Sequence, residues 1–203
     1  MVRFEVVMTE RKFLSNVPVT LQVLPQITSL GLNEQELAFA SIAMGGPHSK
    51  LLENSEGQPI IHVMSDVIQW LLNTFGKSSS RPDSRLTRVH FHSLTYHIVG
   101  AHKSQWGNVR SAAMAGSRIA GLQACDVEDS DPDLVDLKIP LEFQLHSGDT
   151  QRKFDATSPA YSWTLGDFHF VFSPVLVCKH PEKTVGLGDA ISATGLMFSQ
   201  FSV

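Results

Sequence analysis

The sequence is short of cysteine, of excess positive charge and of long apolar runs, and each shortage closes off a class of protein. Two cysteines in 203 residues cannot staple a disulfide-dense scaffold. Lys and Arg number 16 against 20 Asp and Glu, a net charge of −4, so the chain lacks the basic footprint of a general nucleic-acid binder. No run approaches the roughly 20 apolar residues that span a bilayer. The longest, Phe168 to Val177, is broken by His169, Ser173 and Pro174. No basic stretch, apolar run and cleavage site in series read as a signal peptide. There is no internal repeat and no low-complexity tract. Neither a Gly-x-Ser-x-Gly elbow nor a Cys/His pair points to nucleophilic catalysis.

What is present is globular. Hydrophobic residues make up 42% and charged residues 18%, a composition that folds rather than stays disordered. The length suits one large domain or two small ones. Val2–Met8 reads as a strand that starts at the second residue, so the sequence begins inside an element or is a piece of something longer. Thr9 caps a short helix over 10–14, and Pro18 ends or restarts it. Ile27–Leu32 is the next strand. Asn33 caps a helix from Glu34 to about Met44, with Glu36 at its third position as in a capping box, and Gly45-Gly46-Pro47 stops it.

Residues 48–61 read as loop. Ser65–Phe75 is an amphipathic helix closed by Gly76, Lys77–Arg85 a surface loop, and Arg88–Leu94 a strand. Gln105–Ala115 is a helix ended by Gly116, and Arg118–Ala124 is apolar enough for a buried strand. Asp129–Asp133 reads as an acidic helix entry and Ser147–Asp149 as a turn. Residues 161–172 form a hairpin with alternating faces, Pro174–Cys178 a further strand, and Ala190 to about Phe201 the last helix. Strands alternating with helices imply an α/β fold with a mainly parallel sheet, covered by helices and edged by the antiparallel hairpin.

The most informative stretch is Thr184-Val185-Gly186-Leu187-Gly188-Asp189-Ala190. Two glycines one residue apart let the backbone approach a ligand closely. A helix N-terminus offers free N–H groups and about half a positive charge, which together suit a phosphate. A carboxylate at that spot can take a proton from an attacking hydroxyl while the amides hold a transferring phosphoryl group. The same residues also read as an ordinary helix start with Asp189 as its first-turn charge. No Gly-Lys-Ser/Thr follows, so this is not a Walker loop, and the third glycine of the dinucleotide fingerprint is missing.

With these residues in view, the chain resembles the C-terminal portion of the eukaryotic ADP-dependent glucokinases, in the ribokinase-like superfamily. The likeness rests on Thr28–Leu37, Val89–Leu94, Ala120–Cys125 and Pro174–Lys179, with Thr184–Ser192 beyond, in family order over nearly the whole chain. It implies a ribokinase-like three-layer α/β/α sandwich, with residues 1–203 forming the C-terminal part of the large domain and the lid and early sheet strands lying elsewhere. The implied activity is phosphoryl transfer from ADP to the 6-hydroxyl of glucose with release of AMP, a glycolytic step, by a monomer. The alternative is a catalytically silent nucleotide-binding fragment or isoform.

By the same resemblance Asp189 is the catalytic base, and Glu5, Glu36 and Asp189 are linked to Mg²⁺. The nucleotide lies along Val177–Val185 and against Gly186, Leu187 and Gly188. Asn33 and Glu36 fall on the family's Asn-x-x-Glu motif. Its His-x-Glu motif falls on Arg3-Phe4-Glu5, where Arg3 replaces the histidine. An arginine so close would compete with the cation. Lys179 and Lys183 are phosphate candidates, and equally solvated loop charges.

Family members look like secretory-pathway proteins, which implies an endoplasmic-reticulum or secreted location. Cys125 and Cys178 end two of the expected strands; if those strands are neighbours a disulfide can form, and otherwise both are buried thiols. His90 and His92 share one strand face by period-2 alternation. With His97 they fall short of a convincing zinc set and read as buried or nucleotide-adjacent.

Overall fold

The structure is a computed structural model that describes residues 5–7, 17–53, 59–129 and 131–202. Arg3, the outer residues of the expected first strand and the expected helix over 10–14 lie outside the described residues.

In chain order the elements are β1 (Glu5–Val7), α1 (Val17–Val23), a 3₁₀ turn (Leu24–Gln26), β2 (Ser29–Leu32), α2 (Glu34–Met44), α3 (Ser49–Glu53) and α4 (Ile61–Phe75). After them come β3 (Arg88–His92), β4 (Tyr96–His102), β5 (Trp106–Gly107), α5 (Val109–Cys125), β6 (Val135–Leu137), β7 (Glu142–Phe143) and β8 (Arg152–Lys153). The chain closes with β9 (Tyr161–Leu165), β10 (Phe168–Pro174), β11 (Leu176–Cys178), α6 (Leu187–Met197) and β12 (Gln200–Phe201).

The central sheet has the order β1-β2-β3-β4-β10-β9. β1, β2 and β3 run parallel, and the remaining neighbours pair antiparallel. The mainly parallel sheet expected from the sequence is therefore corrected to a mixed one. The cause is β4, a strand the sequence pattern hides. It turns straight back from β3, with His97 opposite His92. Its Gly100 breaks the apolar pattern because a side chain there has no room: a Cβ would lie 2.8 Å from Ile68 and 2.9 Å from Leu72 of α4.

Helices cover both faces, so the three-layer α/β/α arrangement is present. Alternation along the strands sorts the residues. Leu30, Leu32, Val89, Phe91, Ile98, Phe170 and Phe172 join the α4 residues Val67, Ile68, Leu71 and Leu72 in the main core. Val99, Ala101 and Val171 point the other way, against Val109 and Ala113 of α5.

Four local expectations are corrected. α5 is one helix through Cys125, so Gly116 does not end it and Arg118–Ala124 is not a strand. Gly116 is a packing glycine: a Cβ there would sit 3.0 Å from the Ile191 carbonyl oxygen of α6 and 3.3 Å from the His97 ring. α4 begins at Ile61 rather than Ser65, and part of the expected loop before it is α3. The acidic segment forms a turn, in which the Asp131 carboxylate accepts from the Asp133 N–H at 2.8 Å, and then β6. The last helix spans Leu187–Met197 and is followed by β12, paired with β5.

A disulfide joins Cys125 to Cys178 with their Cα atoms 5.5 Å apart. It ties the end of a helix, not of the expected strand, to the end of β11. None of the helices among the described residues is long and apolar enough to cross a membrane.

Candidate functional site

Two helix N-termini meet at the C-terminal edge of β2 and β3. The first belongs to α2. Asn33 has an extended backbone, and its side-chain oxygen accepts from the Glu36 N–H at 2.9 Å. The Glu36 carboxylate accepts in return from the Asn33 N–H at 2.8 Å. This is the capping box that the Asn-x-x-Glu spacing predicts. Glu36 is buried and turned back onto its own cap.

The second N-terminus belongs to α6. Gly186 caps it in the left-handed region, at φ 79°, where a side chain would be strained. The first intrahelical bond runs from the Ala190 N–H to the Gly186 carbonyl at 2.9 Å. The amides of Leu187, Gly188 and Asp189 thus precede the helical ladder and present donors with the helix dipole behind them. Asp189 stands in this first turn. No hydrogen bond or ion pair to its carboxylate occurs among the described residues.

Between the two N-termini lies a cleft of about 250 Å³ lined by Asn33–Gln35, His92–Leu94 and Gly188. A smaller apolar groove of about 120 Å³ shares Leu94 with it and is lined by Val177, Thr184 and Leu187. The structure therefore brings Val177, Gly186, Leu187, Gly188 and Asp189 to one neighbourhood, with Asn33 across the cleft. Glu5 is placed by register opposite Ser29, four residues before Asn33 on the neighbouring strand. Lys179 and Lys183 are engaged elsewhere. Lys179 Nζ donates to the Asp133 carbonyl at 2.9 Å and Lys183 pairs with Asp126 at 2.5 Å.

A larger groove of about 660 Å³ runs beside α5, lined by Ile119, Leu122, Leu137, Leu176 and Phe198 among others. Its one charged lining residue is Arg118. It offers no acid or base for phosphoryl chemistry, so its size does not single it out as the candidate site.

Beneath α6 the sheet face is polar. Arg88 is fully buried. It donates to Ser29 Oγ at 2.7 Å, reaches His90 Nδ1 at 3.3 Å and lies over the Trp106 ring at 5.6 Å. From there a chain runs His90 Nε2 to His97 Nδ1 at 3.0 Å, His97 Nε2 to Ser117 Oγ at 2.6 Å, and Ser117 Oγ to Ser173 Oγ at 2.8 Å. A guanidinium has donors only, which fixes the direction of the chain. His90 accepts on Nδ1 and donates from Nε2, His97 does the same, and Ser117 passes its proton on to Ser173.

Burial holds these rings neutral. It is the largest cause lowering the pKa of His90, helped by Arg88, and it lowers His97 to about 3, helped by His92 and Arg88. Burial lowers His92 to about 4 against the opposing pull of Asp189. His92 is thus a neighbour of the turn, which the sequence allowed. The chain through Ser117 and Ser173 leaves no local pattern in the sequence; only its first link, Arg88 to His90, joins residues close along the strand.

Among the described residues no group of three His, Cys, Asp or Glu side chains could cage a metal ion. Two carboxylates without a hydrogen bond or ion pair among the described residues, Asp189 in the first turn of α6 and Glu34 in the cleft lining, suit Mg²⁺, which keeps its waters and is shared with substrate phosphates.

Residues 4–198 match the family model described as the ADP-specific phosphofructokinase/glucokinase conserved region. The chain is 46% identical over 196 residues to the ADP-dependent glucokinase of Bos taurus, covering 95% of this chain and 39% of that protein. It is 42% identical over 188 residues to a probable ADP-dependent glucokinase of Caenorhabditis elegans, covering 89% and 38%. It therefore spans about two-fifths of the length of these curated relatives. Among solved structures, an ADP-dependent kinase in complex with fructose 6-phosphate and ADPβS superposes with a TM-score of 0.69 at 21% identity, over 97% of this chain and 44% of that one. A last common ancestor of ADP-dependent phosphofructokinases from Methanosarcinales gives 0.65 at 20%, over 97% and 42%. The mixed sheet, the two facing helix N-termini and the extent of these matches lead to one assignment: the chain belongs to the ADP-specific phosphofructokinase/glucokinase family.

Proposed function

We propose that this chain is the nucleotide-binding, Asp189-bearing part of an ADP-dependent glucokinase. The observation that carries the reading is the Gly186–Asp189 turn, whose Gly188 lines a polar cleft faced by a second helix N-terminus and whose Asp189 acts electrostatically on His92 of that cleft. In this reading Asp189 accepts the proton of the glucose 6-hydroxyl as its oxygen attacks the β-phosphorus of ADP. The bond from that phosphorus to the bridging oxygen breaks, and AMP leaves. The amides of Leu187, Gly188 and Asp189 hold the charge of the transferring group. Val177 and Leu187 line the groove where the nucleoside rests. Mg²⁺ held by Asp189 and the donor phosphates would neutralise phosphate charge, and Glu36, whose Oε2 accepts from the Asn33 N–H, could reach it with its other carboxylate oxygen.

The chain spans 39% of the bovine relative, which favours a second reading for the chain alone: it binds ADP without turning glucose over. The test is ADP binding by calorimetry beside an assay of ADP-dependent glucose phosphorylation. Binding without turnover fits the second reading, and both together fit the first. No ADP binding contradicts both. Where turnover is present, Asp189→Asn lowers the rate by about 10²–10⁴-fold, and an unchanged rate removes Asp189 as the base. We further infer that the protein works as a monomer. The Cys125–Cys178 bridge supports residence in an oxidising compartment, and thiol labelling of the protein taken from cells checks this.

A further inference from the structure

Three glycines on the two helices above the polar sheet face each press on one histidine below. A Cβ on Gly188 would lie 2.7 Å from His92 Cε1. A Cβ on Gly195 would lie 3.0 Å from His90 Cε1 and 3.4 Å from Arg88 Nη2, and one on Gly116 would lie 3.3 Å from His97 Cε1. Gly188 and Gly195 are seven residues apart, two turns of α6, so they lie on one helix face. That face rests on His92 near its start and on His90 towards its end. His90 and His97 cannot turn aside, because the chain from Arg88 to Ser173 fixes both ring nitrogens of each.

We propose that His90, locked at both ring nitrogens by the chain through His97, and His92, which fills the space beneath Gly188 with its buried Nε2 unpartnered, form a seat for α6 that sets the position of the Gly186–Asp189 turn. His90 and His92 are therefore positioning residues for Asp189 and the phosphate-binding amides. The inference rests on the functional reading above for what the turn does, but its geometry does not.

The physical argument is one of height. An apolar side chain of similar size in place of His90 would find several rotamers and let the helix settle differently. A ring held at both nitrogens has one position. The close Gly–His contacts transmit that position to the helix backbone without an intervening flexible side chain. Ile191 and Ser192 of α6 are also buried, but Ile191 packs with Ala120 and Val175, on α5 and beside β11. That contact fixes α6 sideways rather than above β3.

The test is amide hydrogen exchange on the whole chain without ligand. Gly195→Ala adds one methyl group against the fixed His90 ring, far from the turn. Met197→Ala, at an exposed position of the same helix, is the control. If α6 is seated by the histidines, Gly195→Ala raises exchange at the Ala190 and Ile191 amides roughly tenfold, while Val99 and Val171 in the sheet stay within about twofold. His92→Ala, which removes the ring under Gly188 and adds nothing, gives the same local rise and serves if Gly195→Ala does not fold. An equal rise in helix and sheet, or none beyond the Met197→Ala control, overturns the proposal. ADP titration of the same variants separates the two readings. Weaker ADP binding with the local rise supports both. An unsubstituted chain that binds no ADP overturns the functional reading and leaves the exchange result to decide the seat.

Discussion

The two faces of the central sheet are built from the same strands and differ in almost every other respect. Towards α4 the strands offer Leu30, Val89, Phe91, Ile98, Phe170 and Phe172, packed into one apolar cluster. On the other face they offer Ser29, Arg88, His90, His92, His97 and Ser173, all buried and most of them hydrogen-bonded in a line, beside a small apolar patch of Val99, Ala101 and Val171 against α5. Burying polar groups costs free energy unless they are satisfied, and it yields less stability than hydrocarbon even then. The difference teaches that the first face holds the fold while the second fixes where one helix sits. The helix it fixes carries the turn with Asp189.

Three changes press on this contrast. The largest effect is expected on the apolar face. Phe172 is fully buried and lies 5.3 Å from Phe143 and 5.4 Å from Tyr96, ring to ring. Phe172→Ala is expected to cost about 3–5 kcal/mol in denaturant unfolding. A loss below about 1 kcal/mol would mean that this face does not dominate stability.

The next effect is pH dependence from the polar face. The His97 pKa is about 3 in the fold, lowered by burial and then by His92 and Arg88, against about 6.5 unfolded. The folded state therefore binds fewer protons between these values. The contribution is fully present above pH 6.5 and is lost as pH falls towards 3, by about 2 kcal/mol at pH 5 for His97 alone. Unfolding curves at pH 7 and pH 5 check it, and equal midpoints would show that His97 is not held neutral.

The smallest effect belongs to the cleft at the C-terminal edge of β2 and β3. Asn33→Ala removes the cap of α2 and is expected to cost about 1 kcal/mol. Because Asn33 also lines the cleft, ADP affinity should fall more than stability does. Equal loss in both would confine Asn33 to capping.

Legibility in the sequence followed the same division. The α2 capping box and the start of α6 could be read because caps and glycines act over three or four neighbouring residues. Strands β9 and β10 could be read from their alternation and the Gly166-Asp167 turn. β4 could not, because Gly100 and the histidines at 97 and 102 serve contacts with other elements rather than a local pattern. Gly116 misled for the same reason: a glycine that lets α6 approach looks, locally, like one that ends a helix. The Gly186–Asp189 turn and its histidine neighbour were visible as residues. The chain that joins His97 to Ser117 and Ser173 spans 76 positions between its outermost members and has no local signature.

The most direct test of the central claim is an ADP titration of this chain followed by amide NMR. The account predicts saturable shifts concentrated at Gly186–Ala190 and at His92–Leu94, around the polar cleft. Shifts confined to the apolar groove beside Ile119 and Leu137, or no saturable shift at all, would contradict it.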